Sequence, residues 1–140
     1  MSTSGALVVV AVLAAATAYG LWTRRRAGRL RLARGGEPAV TSDELGHPLG
    51  ERATLLQFSS AFCRPCVATR HVLGTTAAVV PGVSHVEVDD EANLDLVRRL
   101  NVSSTPTTLL LDASGRERQR ATGVPRGHEV LAALDAVVAP

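Results

Sequence analysis

The first 23 residues carry no charged side chain, and within them residues 5–22 read GALVVVAVLAAATAYGLW. Wound as a helix, those 18 residues span about 27 Å at about 1.5 Å per residue, close to the hydrocarbon thickness of a bilayer. This stretch constrains the chain more than any other, because it reads as a transmembrane helix set apart from everything that follows. Tyr19 and Trp22 stand at its C-terminal end, where amphipathic rings suit the headgroup region, and Arg24, Arg25, Arg26, Arg29, Arg31 and Arg34 follow at once. A cleaved signal peptide is the competing reading, with Ala16-Thr17-Ala18 resembling a cleavage site. Signal peptides carry positive charge ahead of the apolar stretch, and Ser2-Thr3-Ser4 supplies none, which favours an uncleaved anchor. Six arginines on one flank and none on the other predict a single-pass protein of the cell membrane whose N-terminus faces out and whose remainder lies on the cytoplasmic side.

The organisation that follows is an anchor over residues 1–23, a basic juxtamembrane linker over 24–37 and a folded domain over 38–140. Gly35-Gly36-Glu37-Pro38 closes the linker with strong helix breakers. Its arginines read either as a surface for anionic lipid headgroups or as a topology signal with no further role. Roughly 100 residues remain after the linker, enough for a small independent core. With 46% of the chain in the hydrophobic set and 20% charged, a disordered polar tail is excluded. A net charge of +2, in which all 15 basic residues are arginine, gives no basis for nucleic-acid binding.

Within the domain, residues 53–59 (ATLLQFS) form a short apolar run of strand length. Residues 65–80 are long enough for a helix, ended by Pro81-Gly82. Residues 83–88 alternate as VSHVEV, which puts Val83, His85 and Glu87 on one face. Residues 93–100 bring Leu94, Val97 and Leu100 to helical spacing, and residues 107–111 (TTLLL) are a buried-type strand. The turn Asp112-Ala113-Ser114-Gly115 joins that strand to residues 117–122 as a hairpin with an exposed edge. A last helix over 128–138 carries Val130, Leu131, Leu134, Val137 and Val138 as its apolar face. Strands alternating with helices, then a hairpin, predict an α/β fold: a mixed sheet with helices on both faces. Residues 39–52 read two ways, as a short first strand with a truncated helix or as a small hairpin around Gly46-His47-Pro48-Leu49.

The chemistry is concentrated in Cys63-Arg64-Pro65-Cys66. Two cysteines cannot staple a scaffold, and this pair follows directly on a strand and opens a helix. At a helix start, unpaired N–H groups and the helix dipole favour an anion, lowering a thiol below its free pKa of about 8.5 and making Cys63 a nucleophile. Arg64 adds a neighbouring cation, and Pro65 suits the first helical turn because its missing N–H had no partner to lose. Cys66, one turn in, is more shielded and suited to resolving a mixed disulfide. A zinc site needs three or four ligands, and only the scattered His47, His71, His85 and His128 are at hand, so no metal is assigned. Two inert buried cysteines would lie in an apolar run, not around Arg64-Pro65.

These residues resemble the thioredoxin superfamily. LLQFSSAFCRPC stands where that family has an apolar strand, an aromatic before the first cysteine and Cys-x-Pro-Cys. Ser104-Thr105-Pro106-Thr107 stands at its cis-proline loop, Val88-Asp89 at the end of a central strand, and Gly123 where a glycine borders the substrate groove. The resemblance implies a thioredoxin-like sheet, a Cys63–Cys66 redox couple, a cis bond before Pro106 and backbone pairing of substrate to Thr105. It also implies a disulfide-containing protein substrate and a thiol or reductase as electron donor, with no cofactor.

Departures from the family pattern fall at the centre of the site. Gln57 replaces a buried acid and cannot take a proton, and His85 replaces a neighbouring basic residue, so the pair is either a hydrogen-bonded core feature or a proton-handling device. Ser59 and Phe62 replace two tryptophans, Arg64 a glycine, and His71 a kink-forming proline on the active-site helix. The chain reads as a membrane-tethered thiol-disulfide oxidoreductase. A tethered binding protein that holds a partner or a soft metal such as Cu(I) in the same groove is the alternative.

Overall fold

The computed structural model describes residues 3–33, 35 and 38–139. Arg34 and the Gly36-Glu37 breakers lie outside the described residues. In chain order the elements are α1 (Thr3–Arg26), β1 (Arg31–Leu32), α2 (Ser42–Leu45), β2 (Ala53–Ser59), α3 (Arg64–Val79), β3 (Val83–Asp89), α4 (Leu94–Arg99), β4 (Thr107–Asp112), β5 (Glu117–Thr122) and α5 (Gly127–Val138). From β2 onward every element expected from periodicity is present and within two residues of the expected span.

The strands form one sheet in the order β1-β5-β4-β2-β3. β2 is central, parallel to β3 and antiparallel to β4, so the α3 crossover and the β4–β5 hairpin give the mixed sheet. All seven residues of β2 are buried, as a strand covered on both faces requires. On one face Leu56, Phe58, Val86, Val88, Leu109 and Leu111 pack against Leu96 and Leu100 of the α4 region and against Val40 and Leu45. On the other, Leu55 and Leu110 pack against Leu73 of α3 and Val130, Ala133 and Leu134 of α5. Each fully buried leucine contributes roughly 1.5–3 kcal/mol by leaving water.

Three expectations are corrected. The basic stretch is not a free linker. α1 runs on through Arg24–Arg26, the Gly28 N–H donates to the Thr122 carbonyl, Leu30 packs on the α3/α5 core, and Arg31 and Leu32 pair with Arg120 and Gln119. β5 therefore has no exposed edge, because this stretch satisfies its outer N–H and C=O groups; among the described residues the sheet ends on β5's far side at β1 and on the other side at β3. Residues 39–52 hold the truncated helix but neither a strand nor a hairpin. Thr41 caps α2 in a reciprocal box, its Oγ1 accepting from Glu44 N and its N–H donating to Glu44 Oε2 at 2.9 Å, and Gly46 ends the helix with φ 65°. Glu44 also pairs with Arg99 of α4 at 2.6 Å, which ties this turn to the core face it covers.

None of the most apolar window of α1 is buried against the rest of the molecule. The helix is thus no core helix of a soluble domain; its length and composition suit a membrane span or a signal sequence.

Candidate active site

Antiparallel pairing of β2 with β4 and of β4 with β5 brings the C-terminal end of β2, the start of β4 and the end of β5 to one end of the sheet. Three loops meet there. After β2 the chain turns at Ser60, whose carbonyl accepts from Cys63 N, and enters α3. Cys63 is the N-cap, with extended φ −93° and ψ 98°, and its Sγ accepts from the Cys66 N–H at 3.2 Å. Arg64 and Pro65 fill the first helical positions, as their chemistry predicts. Cys63 and Cys66 are joined as a disulfide with Cα atoms 5.3 Å apart; Cys63 is half-buried and Cys66 only 2% exposed.

The second loop carries the Thr105-Pro106 peptide, which is cis. Thr105 Oγ1 and Ser60 Oγ are 3.1 Å apart, so a hydroxyl pair stitches this loop to the one leading into Cys63. The third loop holds Gly123, at φ 91°, whose N–H donates to the Pro106 carbonyl at 2.9 Å. A Cβ there would lie 3.2 Å from Gly28 N and 3.4 Å from Ala27 Cβ, so the foot of α1 covers this glycine. Phe62, just before Cys63, is 99% exposed.

Behind the dithiol lies a buried polar chain. Gln57 Nε2 donates to the Cys66 carbonyl and to Ser59 Oγ, both at 2.9 Å. A carbonyl can only accept, so the amide orientation is determined, and Gln57 Oε1 faces His85 Nε2 at 3.0 Å. His85 must therefore carry its proton on Nε2. Burial pushes His85 below its ordinary pKa, against the opposing pull of Glu87. Glu87 is held below the usual carboxylate range chiefly by Arg70, which grips both its oxygens at 2.6 and 2.8 Å. The chain thus runs from a surface ion pair through the Ser59 hydroxyl and the Gln57 amide to the backbone of the second cysteine, with the His85 imidazole on the other end of the amide. Arg70 and Ser60 were not foreseen; the shared face of His85 and Glu87 was the one signal pointing toward Arg70.

The remaining histidines take no part: His47, His71 and His128 are exposed. Among the described residues no group of three or more His, Cys, Asp or Glu side chains is placed to hold a metal ion.

Residues 47–138 match the family model for a thioredoxin-like domain. The chain belongs to the thioredoxin-like family. It is 31% identical over 85 residues to thioredoxin from Chlamydia muridarum, an alignment covering 61% of this chain and 82% of that one. The fold is similar to that of a mutant thioredoxin from Halobacterium salinarum (TM-score 0.59, 19% identity, 64% and 78% of the two chains). It is similar also to chloroplastic thioredoxin z (TM-score 0.61, 17% identity, 77% and 99%). With a thioredoxin-like fold and a Cys63–Cys66 pair at disulfide distance, the protein is a thiol-disulfide oxidoreductase. Thioredoxin-fold proteins act on disulfide-containing proteins, and in this chain the Gln57–His85 pair lies behind the dithiol.

Proposed function

We propose that this thioredoxin-like protein is a membrane-tethered reductant or exchanger of protein disulfides in which Cys63 attacks and Cys66 resolves. The observation that carries the reading is the asymmetry of the pair: Cys63 is half-buried at the start of α3 with an N–H aimed at its sulfur, while Cys66 is sealed behind it. The Cys63 thiolate attacks one sulfur of a substrate disulfide, forming a mixed disulfide and releasing the other sulfur as a thiolate. Cys66, once deprotonated, attacks Cys63 Sγ and expels the second substrate thiol. Two electrons have then passed to substrate, and the Cys63–Cys66 disulfide is reduced again by an external dithiol or reductase.

Substrate is read by the loops around the dithiol. The exposed Phe62 ring offers apolar surface beside the nucleophile, and a polypeptide strand pairs with the backbone of Thr105 in a groove bordered by Pro106 and Gly123. Arg64 and Pro65 modulate Cys63 from the helix start, and Gln57 and His85 modulate Cys66 through its carbonyl. Residues 1–23 form the anchor, residues 24–37 the basic juxtamembrane stretch and residues 38–140 the redox domain, on the cytoplasmic side by the arginine asymmetry.

Turnover on a protein disulfide with dithiothreitol as donor tests the chemistry; a purified full chain that binds such a substrate without reducing it refutes the assignment. Labelling intact cells with a membrane-impermeant thiol reagent after mild reduction tests the side. Strong labelling of Cys63 before lysis overturns the cytoplasmic placement.

A further inference from the structure

Between the foot of α1 and the outer part of the sheet lies a groove of about 900 Å³ that the redox chemistry does not use. Its lining includes six arginines from three separate segments: Arg26 at the end of α1, Arg29 and Arg31 in the following stretch, and Arg116, Arg118 and Arg120 around β5. Fold and sequence converge here, because the arginines after the apolar stretch and those of the hairpin, some 90 residues apart in the chain, come together only when β1 pairs with β5.

Among the described residues the charge has few carboxylate partners. Arg120 is committed to Glu117 at 2.7 Å and to the carbonyls of Leu100 and Asn101. Arg118 makes a loose pair with Asp112 at 3.8 Å. For Arg29, Arg31 and Arg116 no carboxylate partner is present among the described residues, and Arg26 instead lies over the Trp22 ring at 3.9 Å. Among the described residues Glu117 is the one acidic residue in the lining. Gathering this many guanidinium groups costs repulsion unless an anion joins them, and a phosphate is the group their forked donors fit best.

The surroundings specify which phosphate. Trp22, the chain's single tryptophan, lines the groove and closes the uncharged stretch of α1, which sets the groove at the level where a spanning helix leaves the hydrocarbon. Leu32, 82% exposed, and Trp22, 49% exposed, give the same groove apolar walls next to its cations. A free phosphate has no use for them; a lipid does.

We propose that this groove is a binding site for the phosphate headgroup of an anionic phospholipid, with Arg31 and Arg116 as phosphate ligands from β1 and the β5 hairpin. The proposal rests on α1 being a membrane span. The lipid bridges anchor and domain, fastening the redox domain onto the bilayer surface at the sheet edge remote from β3.

The test uses the full chain purified in dodecyl maltoside and supplied with dioleoyl phosphatidylglycerol or dioleoyl phosphatidylcholine, with retained lipid counted by native mass spectrometry. One phosphatidylglycerol is retained per chain, at least tenfold more strongly than phosphatidylcholine. Arg31→Gln and Arg116→Gln each weaken retention roughly fivefold, while the exposed Arg98→Gln of α4 leaves it unchanged. Equal retention of the two lipids, or retention indifferent to both groove substitutions, overturns the proposal. So does displacement of phosphatidylglycerol by millimolar inorganic phosphate, which would make the groove a site for free anions. Carbonate-resistant insertion into pure phosphatidylcholine vesicles is measured alongside. Insertion without lipid preference overturns the lipid site alone, whereas failure to insert overturns the anchor and the lipid site together.

Discussion

Replacing Gln57 with leucine removes the centre of the polar chain behind the dithiol while nearly preserving side-chain volume. Three hydrogen bonds are lost, to Ser59 Oγ, to the Cys66 carbonyl and from His85. At roughly 0.5–1.5 kcal/mol each they sum to about 3 kcal/mol, which the added apolar burial offsets by about 1 kcal/mol. The side chain is 0% exposed, so water cannot substitute at that position. The expected net loss is about 2 kcal/mol. Urea unfolding of the full chain in detergent, followed by circular dichroism, measures it. In a His85→Leu background the same substitution should cost about 1 kcal/mol less, because one of the bonds is already gone. A loss below about 0.5 kcal/mol, or identical losses in both backgrounds, would refute the claim that amide and imidazole act as one unit.

Cys66→Ser traps substrate as a mixed disulfide on Cys63, and Cys63→Ser traps none; equal trapping on non-reducing gels contradicts the division of labour. Arg64→Gly slows alkylation of reduced Cys63 near neutral pH by less than about tenfold, since Arg64 is exposed and its field is screened. Because the folded chain holds His85 below its unfolded pKa of about 6.5, the folded state binds fewer protons just beneath that pH, and stability is complete above it and declines as pH falls through it. His85→Gln should flatten the slope of unfolding free energy between about pH 7 and pH 5, leaving the loss that sets in as pH falls through the ordinary carboxylate range toward the lowered pKa of Glu87. Gly28→Ala, at φ 78° with its new Cβ driven into the Val124 carbonyl, should detach β1 from β5, read as faster hydrogen exchange over residues 27–33 and 117–122 with β2 unchanged.

The elements from Ala53 onward were legible because each announces itself by period: seven buried residues in β2, alternation in β3, and a turn of Asp, Ser and Gly between β4 and β5. The dithiol was legible because its position on a strand-to-helix junction is local. The stretch before β2 was not, although Thr41-Ser42-Asp43-Glu44 carries the capping-box spacing, because a four-residue helix leaves no periodicity to detect. β1 was invisible for a different reason. Arg31 and Leu32 form a strand only through pairing with Arg120 and Gln119, a contact no local pattern records. The same holds for the Arg70 clamp on Glu87, which depends on how α3 lies across the sheet.

Only four residues separate α1 from β1, a length that reaches at most about 18 Å even when fully extended, and Gly28 within it is already bonded to the end of β5. With α1 in a bilayer, the dithiol has almost no freedom to sweep outward. A long flexible tether would let the catalytic end sample a hemisphere of solution; on the proposed anchor this short mooring would confine it to a thin layer above the lipid. Encounters with partners lodged in the same membrane would then become collisions in two dimensions, at the high effective concentration that co-confinement brings. A soluble partner gains no such advantage and has to come down to the surface to exchange its disulfide.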